Sequence, residues 1–221
     1  MTEVAAEPGG RRSADDRRRQ LIGIGLGMLI DRPWHQITVD AVAQQAGISR
    51  GLLFHYFPTK QEYYAQLVRA ASQRFLRATG PDPDAADPLA SMIANFVGYM
   101  RRRSGPLVGL LRAAGQDPVL EAIMEQMHDE LTDRVFAALG GPAPSTAERL
   151  VVRSWWAMAE DLTVQWLSRD DVDQDRLGRL LFGTLSQVLD AVRDEPAGAT
   201  DRALIRELRR ATRNPRLLRD G

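Results

Sequence analysis

The stretch Gly47-Ile48-Ser49-Arg50-Gly51 has the G-x-S-x-G spacing of a hydrolase nucleophile elbow, in which a strained strand-to-helix turn lifts a serine above a sheet. That chemistry needs a strand before the serine. Here Val39, Val42, Ala43 and Ala46 recur at i, i+3, i+4 and i+7, which is the period of a helix. The 3 histidines, His35, His55 and His128, show no metal-ligand spacing, and there is no cysteine to help them. Gly23, Gly25 and Gly27 are spaced G-x-G-x-G, follow no strand pattern and sit in no βαβ unit, so they form no dinucleotide fingerprint. Small residues on a helix instead permit close helix-helix approach. No enzyme, metal or cofactor is expected.

The elements around these residues are helical. A helix is expected from Asp15 to Ile30, with Asp15 and Asp16 favourable at its positive end. Thr38 is a good N-cap for a helix from Val39 to Ala46, and Gly47 supplies the left-handed residue that ends it. Ser49 is placed to cap a second helix reaching Tyr56 or Phe57, which Pro58 stops. Thr59 caps another whose apolar face is Tyr64, Leu67, Val68, Ala71 and Phe75. Residues 80–88, GPDPDAADP, are the clearest break in the chain. Beyond it helical patterns run over about 88–103, 106–115, 118–139, 146–168 and 173–193, with a short one at 201–213. The expected fold is all-α: an N-terminal three-helix domain (15–75, motif 38–57) and a larger C-terminal helical domain (88–193). A basic arm (1–13) and an Arg-rich tail (196–221) flank them.

A short helix, a glycine turn and a second helix form the arrangement that lays one helix in the DNA major groove. At 100° per residue, Leu53 and Phe57 share the core side of the second helix. Gly51, Leu52 and His55 face the other way, flanked by Arg50, Phe54 and Tyr56. That outward flank is too apolar for a solvated surface but suits a groove floor. Leu52 and Phe54 can meet thymine methyls there, and Arg50 and His55 can donate to bases or phosphates. Gly51 permits close backbone approach. Thr38 and Ser49 head helices whose N–H groups and hydroxyls favour phosphate, and Lys60 opens a third.

Residues 38–60, TVDAVAQQAGISRGLLFHYFPTK, resemble the DNA-binding signature of the TetR family. Ala43 stands for the family's small residue in the first motif helix, Gly47 for its turn and Arg50-Gly51 for its basic-Gly pair. Phe54–Phe57 correspond to its aromatic run, with Phe54 where tyrosine is usual, and Lys60 opens the fourth helix. The resemblance covers about 15–75. It implies a homodimer whose recognition helices enter successive major grooves of a near-palindromic operator. It also implies repression, relieved when a small ligand occupies the C-terminal domain. The last two long helices resemble the family's dimerisation pair.

For that ligand, Phe96, Tyr99, Met100, Met124, Met127, His128, Trp155, Trp156 and Met158 are the expected lining, because a methionine-and-aromatic interior adapts to an apolar guest. Each is also an ordinary core residue type. Trp155 and Trp156 point about 100° apart, one toward the pocket and one toward a partner subunit. His128 reads as a hydrogen-bonded boundary residue, and Glu160 and Asp161 as a solvated face or a receptor for a cationic group. Arg101-Arg102-Arg103 reads as a solvated helix end.

The formal charge of the 221 residues is +0, with 44% hydrophobic content, as in an ordinary globular protein. The halves differ: residues 1–79 carry 11 Arg/Lys against 7 Asp/Glu, and residues 80–221 carry 18 against 22. A basic head on an acidic body matches an electrostatic footprint at one end. The run Leu21–Ile30 follows three arginines but is too short to span a membrane and lacks a cleavage site, so neither a leader nor a membrane partner is expected, and the chain is placed in the cytoplasm. The competing reading is a helical protein-interaction module. Steep weakening of DNA binding by salt separates the two.

Overall fold

A computed structural model describes residues 14–32, 34–114, 117–167, 169 and 173–193. The basic arm and the Arg-rich tail, with its expected helix over 201–213, lie outside the described residues. Among the described residues the chain is all-helical. The order is α1 (Ala14–Asp31), a 3-10 turn (Trp34–Gln36), α2 (Val39–Gln45), α3 (Arg50–Tyr56), α4 (Lys60–Ala78), α5 (Pro88–Ala114), α6 (Pro118–Leu139), α7 (Thr146–Leu167) and α8 (Gln174–Arg193).

One expectation is corrected here. The sequence suggested two helices, 88–103 and 106–115, but α5 runs unbroken from Pro88 to Ala114. Pro106 removes one intrahelical bond, and helices usually end before a proline because the preceding Cβ collides with its ring. In the sequence the residue before Pro106 is Gly105, which has no Cβ to collide. Arg101-Arg102-Arg103 therefore lie inside a helix rather than at its end, with Arg101 and Arg102 exposed.

The chain divides into two compact units. The first takes the described residues up to 75 together with 103–125, and the second takes 76–102 together with the described residues from 126 onward. The division falls inside α4, α5 and α6, whereas residues 80–87 form a loop within the second unit.

The first unit is built around α1, α2, α3 and the start of α4. Leu21, Val42, Leu53, Tyr63 and Leu67 are fully buried in one cluster, with Ile37, Phe57 and Met28 beside them. On α4 the core position belongs to Tyr63, whereas Tyr64, expected there, is only half-buried. Tyr63 packs edge-on against Phe57 with ring centroids 5.1 Å apart, and its hydroxyl donates to the Leu21 carbonyl at 3.2 Å. Burial pushes that phenol well above its ordinary pKa, so it stays a neutral donor. Tyr64 instead donates to the Ile37 carbonyl at 2.8 Å and stacks obliquely on Trp34.

In the second unit α8 buries Leu177, Leu181, Leu185 and Leu189, one residue per turn along a single stripe. The start of α7 is a reciprocal capping box. The Ser145 hydroxyl accepts from the Glu148 N–H at 3.2 Å, and the Glu148 carboxylate accepts from the Ser145 N–H at 2.8 Å. Arg193, at the end of α8, donates to the other carboxylate oxygen of Glu148 at 2.8 Å. The Arg193 hydrogen bond, then that from Ser145, hold the Glu148 carboxyl below its usual pKa. A carboxyl more acidic in the folded than in the unfolded chain contributes stability above its unfolded pKa. That contribution is lost as pH falls through the folded value. Glu148→Gln should therefore lower the neutral-pH melting temperature and flatten the acid limb of stability between about pH 5 and 3. Thermal melts across that range check it, and an acid limb identical to that of the parent chain would refute it.

Candidate nucleic-acid interface

The α2-turn-α3 segment is fixed by its caps. The Thr38 hydroxyl accepts from the Ala41 N–H at 3.1 Å, and the Ser49 hydroxyl from the Leu52 N–H at 3.2 Å. Each hydroxyl keeps its own hydrogen to donate outward. Between them Gly47 has φ 65°, and α2 closes with Ile48 N–H on Ala43 O at 3.0 Å and Gly47 N–H on Gln44 O at 3.1 Å. This 6→1 and 5→2 pair is a Schellman ending, which requires a left-handed residue at the glycine. Thr59 caps α4 by accepting from the Glu62 N–H at 3.0 Å.

The two flanks of α3 are then distinct. Leu53 is 0% and Phe57 2% exposed, so both anchor the helix in the core. Gly51, Leu52 and His55 are exposed, Leu52 at 40%, beside exposed Arg50. Thr38, Ser49 and Lys60 are exposed as well. Phe54 and Tyr56 are half-buried against the core cluster, so they form the shoulders of the flank rather than its crest.

Two contributors were missed from sequence. The Arg50 guanidinium pairs with Asp40 at 3.3 Å and lies over the Phe54 ring, 5.4 Å from its centroid. Asp40 was legible only as an acidic residue in the first turn of α2. Arg18, on α1, donates from Nε to the Tyr56 carbonyl at 3.2 Å and so satisfies the C-terminal end of α3. Nothing in the sequence pairs residues 38 positions apart. Lys60 carries its ammonium over the Tyr64 ring, 5.4 Å from the centroid.

The residues expected to line a ligand pocket are placed unevenly. Phe96, Met100, Met127, Trp155 and Trp156 are buried in the second unit, and Tyr99 nearly so. Met124 is buried too but belongs to the first unit. Met158 is 41% exposed on α7 and is corrected from a lining residue to a surface one. It lies on the turn face opposite Trp156, since two residues on a helix point about 200° apart. The adjacent tryptophans divide differently from expectation. Trp156 packs edge-on against Phe96 at 5.3 Å, while Trp155 is also buried and donates to Thr184 of α8 at 3.2 Å, so neither is turned to the surface. His128 Nε2 lies 3.1 Å from Glu160 Oε1. Asp161 is exposed and accepts from Gln165. A cleft of about 450 Å³ opens elsewhere in this unit, between α5 and α8, with Ile93, Val97 and Phe182 on its walls. Its lining was not foreseen. Among the described residues no histidine and carboxylate cluster has the makings of a metal site.

Residues 25–67 match the family described as bacterial regulatory proteins, tetR family. Residues 25–67 thus resemble the DNA-binding module of that family. The matched family and the relatives that follow are transcription regulators. A TetR-family regulator structure from Streptomyces coelicolor superposes with a TM-score of 0.67 at 21% identity, covering 90% of this chain and 99% of that one. The sequence is 24% identical over 178 residues to the transcriptional activator FasR of Mycolicibacterium smegmatis, covering 76% of this chain and 80% of FasR. It is 43% identical over 76 residues to the regulator EthR of Mycobacterium tuberculosis, a stretch covering 31% of this chain and 35% of EthR. The repressor KstR of Rhodococcus jostii is 27% identical over 172 residues, covering 75% of this chain and 79% of KstR. The EthR match is thus local, while FasR and KstR align over most of their length.

Proposed function

We propose that this chain is a TetR-family regulator, a ligand-responsive repressor that binds a near-palindromic operator as a homodimer and releases it when a small apolar effector enters the C-terminal domain. Residues 15–75 would hold DNA and residues 88–193 the effector and the partner subunit. The observation that carries the reading is the two-sided α3: Leu53 and Phe57 are locked inward while Leu52, His55, Gly51 and Arg50 stand exposed. In this reading Leu52 and His55 meet base edges, Phe54 and Tyr56 flank them, and Thr38, Ser49, Arg50 and Lys60 hold phosphates. Dimerisation is supported by exposed apolar residues on the last two helices, which pack on each other. Leu150 and Met158 lie eight positions apart on α7, and Leu180 and Val188 eight apart on α8, so each pair shares a face. Apolar faces left open on a monomer mark an interface. No helix among the described residues is long and apolar enough to cross a membrane, which agrees with work on DNA in the cytoplasm.

Selection of binding sites from random duplex DNA tests this reading. A near-palindrome should emerge, and its affinity should fall steeply as salt rises through counterion release. Recovery of no sequence, or salt-insensitive binding, would favour a protein-interaction module instead. On the selected duplex, Arg50→Ala and Lys60→Ala should each weaken binding by about 1–3 kcal/mol while the dimer stays intact by sedimentation. Loss of a phosphate contact should also reduce the salt slope by about 1. A variant with unchanged affinity and slope removes that residue from the interface.

A further inference from the structure

We infer that the inward stripe of α7 formed by Trp156, Glu160 and Thr163, with His128 of α6, is the polar recognition site of the effector, and that it selects an elongated apolar molecule bearing a neutral oxygen, a hydroxyl or a carbonyl, over a carboxylate of the same chain length. This assignment rests on the effector-binding role proposed above. Positions i, i+4 and i+7 of a helix fall within about 60° of one another, so the three side chains share one face. Trp156 and Thr163 are 0% exposed and Glu160 8% exposed, so that face is the interior one.

Two atoms on the stripe are out of place in an ordinary core. Trp156 Nε1 and Thr163 Oγ1 are buried and have no hydrogen-bond partner. Buried polar atoms are nearly always paired, and the exceptions mark strain or a binding role. The neighbouring Trp155 shows the usual arrangement, its indole N–H donating to Thr184 at 3.2 Å. The two orphans lie on either side of Glu160, about 10 Å apart along the helix axis. Trp166 Nε1, also buried and unpartnered, lies farther along α7 and off this face.

The chemistry of the set narrows the guest. An indole N–H only donates, so the ligand must bring an acceptor oxygen, and the threonine hydroxyl can then donate or accept. An anionic head is disfavoured because it would meet the Glu160 carboxyl group. His128 is already engaged by Glu160 at 3.1 Å. The nearby described arginines of α6 and α7 are engaged too: Arg149 with Asp133, Arg153 with Asp129 and Arg134 with Glu130. Burying an uncompensated charge there is costly, whereas burying a neutral oxygen that receives one donor is not. The Phe96 ring, edge-on to Trp156 at 5.3 Å, supplies apolar wall beside the polar atoms.

The test uses 1-decanol and decanoate, which share a chain length and differ in the head, on the full chain at neutral pH. Binding is read by tryptophan fluorescence and by thermal shift. Decanol should bind at least tenfold more tightly than decanoate. Thr163→Val removes the orphan hydroxyl at nearly constant volume. It should raise the melting temperature of the unliganded protein and weaken decanol about fivefold, the worth of one hydrogen bond. Trp156→Phe removes the other orphan, too far along the helix for the same hydroxyl to reach, and should weaken decanol less than Thr163→Val does. Equal or tighter decanoate binding, absence of decanol binding, or a Thr163→Val protein that melts lower and binds decanol as before would each overturn the site. Affinity for the selected duplex is measured on the same preparations. Retained DNA binding with no decanol binding sinks this site alone, whereas loss of DNA binding sinks the regulator reading itself.

Discussion

Gly25→Ala should destabilise the N-terminal unit by about 1–3 kcal/mol, and Gly23→Ala two positions earlier should stabilise it by up to about 1 kcal/mol. Both substitutions remove the same intrinsic helix penalty from α1. They differ in what a Cβ would meet. At Gly23 nothing lies within 4 Å, but a Cβ at Gly25 would run into the Tyr63 hydroxyl oxygen, with Leu67 Cδ1 3.0 Å away. Tyr63 cannot step aside cheaply, because it is fully buried, packs against Phe57 and is bonded to the Leu21 carbonyl one turn before Gly25. Chemical denaturation of the single variants gives the two signs. Adding Tyr63→Phe to Gly25→Ala should recover part of the loss, because the colliding oxygen is gone. If Gly25→Ala stabilised as Gly23→Ala does, the close approach of α1 and α4 would not be the reason for that glycine.

Gly47→Val should cost more than Gly47→Ala, and Gly47→Asn should be nearly tolerated. A Cβ at this position would touch nothing within 4 Å, so the penalty is purely conformational, arising from φ +65°. A left-handed residue costs an ordinary side chain about 1–2 kcal/mol, more when it is β-branched, and asparagine adopts this region most readily. The Schellman bonds from Ile48 and Gly47 also set the angle at which Ser49 begins α3, so the valine variant should lose operator binding as well as melting temperature. Denaturation and DNA titration of the three variants check the order. A valine variant that unfolds like the parent would show that the turn does not need its left-handed residue.

The recognition segment was readable from sequence because its determinants are local. Thr38, Ser49 and Thr59 cap where polar side chains three residues before a free N–H must cap, and the periods that bury Val42, Leu53 and Phe57 lie within a few turns. What was not readable depends on distant partners. Of three glycines that looked alike in α1, only Gly25 faces another helix closely, and that follows from Tyr63, 38 residues later. The continuity of α5 past Pro106 was not legible either, since a proline reads as a helix stop. Met158 has the composition of a lining residue but the wrong angle, since the interior stripe of α7 passes through Trp156, Glu160 and Thr163. Composition ranked Trp156 and Met158 alike as interior candidates and could not choose among the faces of one helix, while Glu160, read as solvated or as a receptor for a cationic group, is buried. The Arg50–Asp40 pair and the Arg18–Tyr56 bond are likewise products of the folded chain.

The placement of the tryptophans gives the protein its own optical reporters. Trp34 rests on Tyr64 in the first unit, while the Trp155 and Trp156 rings stand 4.8 Å apart in the second, close enough for their excited states to couple. A coupled pair yields a strong near-ultraviolet dichroism signal that collapses when the rings separate, whereas Trp34 contributes as a single indole. With no native thiol in the chain, one engineered cysteine carries a dye without ambiguity. Events beside the recognition helix and events in the helical body can thus be timed separately in one sample.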